Sequence, residues 1–65
     1  MRRESYLYAF QLEIGDLVLW DGQYLIVHNL KGSYVCGRGI MVDVLLSDGW
    51  HRMEVKFLLK VFRHV

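Results

Sequence analysis

The sequence predicts a small all-β domain. Two observations carry that expectation. Asp21-Gly22 and Asp48-Gly49 each separate two runs rich in β-branched, aliphatic and aromatic residues, and an Asp-Gly pair in that setting is the strongest short-range hairpin signal, because the tight turn needs positive φ at its central residues. The chain also has 65 residues, no proline and an apolar content of 54%, which describes one compact domain without linkers. A domain of this size buries only roughly 60% of the surface its unfolded chain exposes, so its core is thin. More apolar side chains are present than such a core holds, and some are expected outside, where a contiguous apolar patch marks a contact site.

Taken in order, Tyr6-Leu7-Tyr8-Ala9-Phe10 alternates weakly, and residues 1–12 are read as an N-terminal arm or edge strand. Residues 13–65 form the barrel. Gly15-Asp16 opens the first strand, Leu17–Trp20, and the first hairpin returns through Gln23–Asn29. Leu30 to Gly39 reads as the longest loop, within which Tyr34-Val35-Cys36 extends one neighbouring strand or the other. Ile40–Leu46 and Trp50–Val55 make the second hairpin. The carboxyl end is ambiguous: Val55, Leu58, Leu59 and Phe62 stand at helical spacing, yet the segment is short, rich in Val and Phe and without a capping residue. The expectation is a tight turn at Lys56 to Leu59 followed by a last strand, Lys60 to Val65.

The succession Ile14-Gly15-Asp16-Leu17-Val18, Tyr24-Leu25-Ile26-Val27, Val42 to Gly49 and Val55 to Val61 resembles the small SH3-like proteins, of Tudor or KOW type, encoded among the short reading frames of tailed bacteriophages. The resemblance implies a five-stranded SH3-like barrel with a short helical turn before the last strand. It also implies a non-enzymatic protein of the virion, or one that binds nucleic acid or host proteins, located in the host cytoplasm or associated with the virion. Tyr24-Leu25-Ile26-Val27 lacks the glycines that follow the first hairpin turn in KOW sequences, which points away from their ribosomal and transcription-factor versions. In barrels that open with Gly-Asp-x-Val, the second residue after Asp points inward. Val18 and Trp20 are then core and Leu17 and Leu19 outward. By alternation, Ile40, Val42, Val44, Leu46, Met53 and Val55 face in, whereas Met41, Asp43, Leu45, Trp50, Arg52 and Glu54 face out.

These assignments define the expected partner-binding residues: Leu17, Leu19, Met41, Leu45 and Trp50, with Tyr34 and Arg38 on a loop able to reach a partner. Aromatic side chains, Met and Arg are enriched in interface cores. The partner is expected to be a protein or a second copy of this chain. The alternative is that the arm covers these residues with Tyr6, Tyr8 and Phe10.

The formal charge is +1, which gives no general case for a polyanionic partner. The carboxyl end is locally basic, however, and Arg52, Lys56, Lys60 and Arg63, supplemented by Arg2 and Arg3 and flanked by Trp50, Tyr34 and Tyr24, form a candidate nucleic-acid strip of the kind that combines cations with stacking rings. That is the runner-up function.

Catalytic and metal chemistry find little support. Cys36, His28, His51 and His64 have none of the close spacings of zinc sites, so no metal and no cofactor are expected. Cys36 is read as a small buried hydrophobe and not as a nucleophile, and its being the only cysteine suits a reducing compartment. Asp16, Asp21 and Asp48 stand beside glycines and are read as turn residues. Gly37-Arg38-Gly39 lacks the spacing of a phosphate-binding loop. The opening residues are too polar for a secretory signal, and no apolar run reaches the roughly 18–20 residues that span a bilayer. Neither a membrane nor a small-molecule substrate is expected.

Overall fold

The computed structural model describes residues 2–64. Met1, the side chain of Arg2 and Val65, the last residue of the expected final strand, lie outside the described residues. The described residues form seven strands: β1 (Arg2–Tyr8), β2 (Leu17–Trp20), β3 (Gln23–Leu30), β4 (Tyr34–Cys36), β5 (Gly39–Leu46), β6 (Gly49–Glu54) and β7 (Leu58–His64). All pairings are antiparallel, in the order β1-β7-β2-β3-β5-β4 with β6 on β5, and the sheet curls into a half-barrel. The all-β class is as the sequence predicts; the count of five strands is not.

The two additional strands have physical causes. β1 lies flat in the sheet, pairing with β7 along its whole length from Arg2↔His64 to Tyr8↔Leu58. β4 forms because Gly37 takes φ 61° at the first central position of a two-residue turn, a conformation that glycine adopts without steric cost. The expected long loop is therefore largely a hairpin, Tyr34–Cys36 against Gly39–Met41. The Asp21-Gly22 reversal is as expected, with both residues at positive φ (50° and 79°) between Trp20 and Gln23. The second reversal is displaced by one residue: Leu46 pairs with Gly49, so Ser47-Asp48 form the turn.

The carboxyl end is a strand, and it begins at Leu58, two residues earlier than expected. One hydrogen-bonded turn precedes it, the Phe57 amide donating to the Glu54 carbonyl at 3.0 Å. The helical turn lies elsewhere, at Ala9–Gln11 before β2. It is joined to the β6–β7 connection by Ala9 N–H to Phe57 O (2.9 Å) and Phe10 N–H to Val55 O (3.1 Å). β3 serves two partners, pairing with β2 through Ile26 and with β5 from Val27 onward. The register slips between Val27 and Asn29, and such a bulge bends a strand and raises its twist, which is how one strand joins both halves of the curl.

Alternation fills the concave side. Val18, Leu25, Val27, Val42, Val44, Leu46, Met53, Leu59 and Val61 form the core with Ala9 and Leu12, and Trp20 and Val55 pack partly buried against it. Two inward expectations fail. Ile40 is exposed because the start of β5 runs past the end of β3 to pair with β4, where it stands between the exposed Val35 and the partly buried Val55, whose N–H donates to its carbonyl at 3.0 Å. Cys36 is exposed at the tip of the same hairpin.

Asp16 closes the Glu13–Asp16 turn as expected, its N–H donating to Glu13 O at 3.1 Å, and it does more besides. It is 2% exposed. Arg63 grips its carboxylate with two hydrogen bonds, Nε to Oδ1 at 2.9 Å and Nη2 to Oδ2 at 2.8 Å, and the Glu13 amide donates to Oδ2 at 2.8 Å. The backbone of Asp16 accepts from Val27 N–H at 2.8 Å, and Arg63 also donates to Gln11 O at 3.0 Å. Hydrogen bonding to Asp16 is the main reason the guanidinium is held more firmly protonated than an ordinary arginine. Its raised pKa makes this contribution complete at all pH values below the ordinary arginine range, and it is lost only as pH rises through the raised value. Removing one member of such a pair strands the other without a counter-charge. Arg63→Met is therefore expected to destabilise the fold by about 3–5 kcal/mol, measured by urea denaturation. Lys60→Met, which removes a solvent-screened pair with Glu4, is expected to shift the midpoint far less.

Candidate functional site

Directly opposed residues of an antiparallel pair share one face of the sheet, so the registers map the outer surface. One row crosses four strands: Glu4, Phe62, Leu17 and Ile26. Beside it stand Tyr6 opposite Lys60, Tyr8 opposite Leu58, and Leu19 opposite Tyr24. Tyr6, Tyr8, Tyr24, Ile26 and Leu58 are exposed, and Leu17, Leu19 and Phe62 are half-buried among them. The Tyr24 and Phe62 rings lie 5.5 Å apart, and Lys60 Nζ sits 5.8 Å from the Phe62 ring centre.

One ion pair lies within this apolar field, Lys60 Nζ to Glu4 Oε1 at 2.8 Å. Its hydrogen bond is the leading cause of the upward shift of the Lys60 pKa, so the two charges neutralise each other. β2 and β7 pair only at Leu17↔Phe62 and Val18↔Val61. Beyond that point they part, and an open groove of about 600 Å³ lies between them, lined by Leu19, Trp20, Asp21, Phe57, Leu58, Leu59 and Lys60. The Trp20 ring forms part of its wall and packs edge-on against Phe57 (5.6 Å) and His51 (5.2 Å).

The second outer surface, on β4, β5 and β6, is of different character. Tyr34 stands opposite Met41, Asp43 opposite Arg52, and Leu45 opposite Trp50. The Tyr34 hydroxyl donates to Asp43 Oδ1 at 2.8 Å, Arg52 lies 5.6 Å from the Tyr34 ring with Nε 3.7 Å from Asp43, and Lys31 caps Trp50 at 4.9 Å. Polar groups thus lie against both rings, although Trp50 is still 48% exposed.

The seven expected partner-binding residues are accordingly divided. Leu17 and Leu19 belong to the apolar face. Tyr34, Met41, Leu45 and Trp50 belong to the polar-capped one. Arg38 is exposed in the β4–β5 turn, beside a depression of about 280 Å³ that it lines with Ile40, Glu54, Val55 and Lys56. The amino-terminal segment does not lie across the apolar face; as a strand it widens that face with Tyr6 and Tyr8. Tyr6, Ile26, Leu58 and Phe62 are contact candidates that sequence reasoning missed, and Tyr24, expected beside a nucleic-acid strip, stands on the apolar face with them. The signal lay in the alternation Leu58-Lys60-Phe62, which becomes meaningful once the segment is read as a strand.

The expected basic strip is not assembled. Arg52 faces Asp43, Lys60 holds Glu4, and Arg63 is bound to Asp16 and approaches Glu13 at 3.4 Å. Lys56, exposed in the β6–β7 turn, is the one member of the four without a carboxylate partner among the described residues. Asp48 and His51 meet at 2.6 Å within their own hairpin.

Burial, then donation to Asp43, raises the Tyr34 pKa above its ordinary value of 10.0. A raised phenol favours the fold in its neutral form, and that contribution is lost as pH rises through the raised value. Alkaline titration of tyrosinate absorbance, compared with Tyr34→Phe, is expected to show Tyr34 ionising above 10.0. Asp43→Ala is expected to bring it back toward that value. Comparison with family models, with curated proteins and with solved structures finds no match, so the functional reading rests on this geometry.

Proposed function

We propose that this chain is a non-enzymatic protein-interaction module, acting as a self-associating piece or as part of a larger assembly such as a virion. The carrying observation is the continuous apolar face across β1, β7, β2 and β3, with five large exposed side chains and a groove between β2 and β7. Contiguous apolar surface of this kind is a contact surface. An outer face of a small antiparallel sheet that served only solvent would be polar.

The framework is read as an SH3-like barrel. The successive pairs β2–β3, β3–β5 and β5–β6 are antiparallel neighbours, a single turn leads from β6 to β7 without pairing them, and β7 closes against β2. In this reading β1 and β4 are additions to a five-stranded unit, and β1 is the one that enlarges the binding face.

Adjacent residues of β7 provide the test. Leu58 is on the apolar face and Leu59 in the core. At low micromolar concentration Leu58→Ser is expected to change stability by no more than about 0.5 kcal/mol, as for an ordinary surface site. Leu59→Ala is expected to cost about 2–5 kcal/mol. The wild-type protein is also expected to bind an apolar fluorescent dye in its native state, and Leu58→Ser to reduce that signal. If Leu58→Ser destabilises as much as Leu59→Ala, the face is structural and the proposal is lost.

A further inference from the structure

We propose that the occupant of the apolar face is a second copy of this chain, packed face to face about a two-fold axis. This rests on reading the face as a binding surface and names its partner.

The first argument is self-complementarity. In a two-fold contact one patch must serve as both sides of the interface. Here the outer face carries projecting side chains, Tyr6, Tyr8 and Leu58, and at its border the gap between β2 and β7, lined on the outer side by Leu19, Leu58 and Lys60, can receive such side chains from a partner.

The second argument is charge. Glu4 and Lys60 cancel each other within the face, and Asp21 lies at the rim of the groove, in the β2–β3 turn. Away from the Arg2–His64 end of the β1–β7 ladder, two such faces meet without opposing like charges, and Glu4 and Lys60 leave no net field for a polyanion or a strongly charged peptide there. The chain as a whole carries +1, which adds little repulsion between copies.

The third is area. Tyr6, Tyr8, Tyr24, Ile26 and Leu58 are between 38% and 63% exposed, which corresponds to on the order of 500 Å² of side-chain surface. Leu17, Leu19, Phe62 and the Lys60 stem border them and carry the patch toward the roughly 800 Å² per partner of a standard interface. The chain exposes 4482 Å² in all, so this contact would take up a substantial share of it. Joining by the free edge of β1 is the less favourable geometry, because Arg3 and Glu4 lie along that edge and charged edge residues oppose strand pairing.

Sedimentation equilibrium of the full chain between about 1 µM and about 500 µM, a range that brackets a micromolar dimer, tests the assignment. The expected result is a monomer–dimer equilibrium that stops at two copies and is insensitive to added salt. Leu58→Lys and Ile26→Lys, each checked for a native circular dichroism spectrum, are expected to raise the dimer Kd at least tenfold. Trp50→Ser, on the other outer surface, is expected to leave it unchanged. A monomer at every concentration overturns the assignment, as does a dimer indifferent to both lysine substitutions or growth beyond two copies. The dye measurement separates the two claims: a monomeric wild type that still binds dye through Leu58 removes the second copy and leaves the interaction module standing, and loss of both removes both.

Discussion

The fold depends on one ion pair, in which a half-buried guanidinium holds a buried carboxylate. Asp16 opens the chain's entry into β2, Arg63 sits near the end of β7, and the bidentate contact between them fixes residues 47 positions apart. The same carboxylate caps the Glu13 amide, and the same guanidinium reaches Gln11 O. The pair therefore anchors the loop after the helical turn, the start of β2 and the closure of β7 onto β2 at a single point. A domain of this size has a thin core and a small margin of stability, so one buried carboxylate with its hydrogen bonds satisfied has large leverage over it. Its specificity is geometric as much as energetic, since a planar guanidinium accepts only a narrow range of approaches by a carboxylate.

That closure also shapes the apolar face. Holding β7 against β2 at Leu17 and Val18 while the strands part beyond them leaves the groove. Pairing β1 along the far edge of β7 widens the face and brings Glu4 to Lys60. The core and the outer face are thus two sides of the same strands: Leu59 and Val61 look inward, Leu58, Lys60 and Phe62 outward. Apolar content in excess of what the concave side holds is left exposed on both halves of the sheet, and on the β1-β7-β2-β3 half it forms one contiguous face. On the other half the rings of Tyr34 and Trp50 are capped by Arg52 and Lys31, which lets large apolar side chains coexist with water.

Much of the framework was legible in the residues. The Asp21-Gly22 turn was readable because local φ preferences determine it. The inward set Val18, Val42, Val44, Leu46 and Met53 was readable because period two is a local property of a strand. The carboxyl end was harder, since Val55, Leu58, Leu59 and Phe62 satisfy a helical and a strand pattern alike; pairing with β1 and β2 on both sides decides it. Ile40 follows the inward alternation, but alternation states which side a residue faces and not whether anything covers that side. The turn at Ser47-Asp48 differs by one residue because register is fixed by the whole β5–β6 ladder.

By itself the sequence determined the all-β class, the Asp21-Gly22 reversal, most of the alternating core and the surplus of apolar side chains, all of which follow from local conformational preference and composition. Only the tertiary structure decided where the surplus lies and which charges are free. Leu17 and Leu19 were separated from Met41, Leu45 and Trp50 because β3 bends between the two halves of the sheet. Arg52, Lys60 and Arg63 were drawn into ion pairs because strands distant in sequence place Asp43, Glu4 and Asp16 beside them. Long-range pairing brings those partners together, and no window along the chain contains that information.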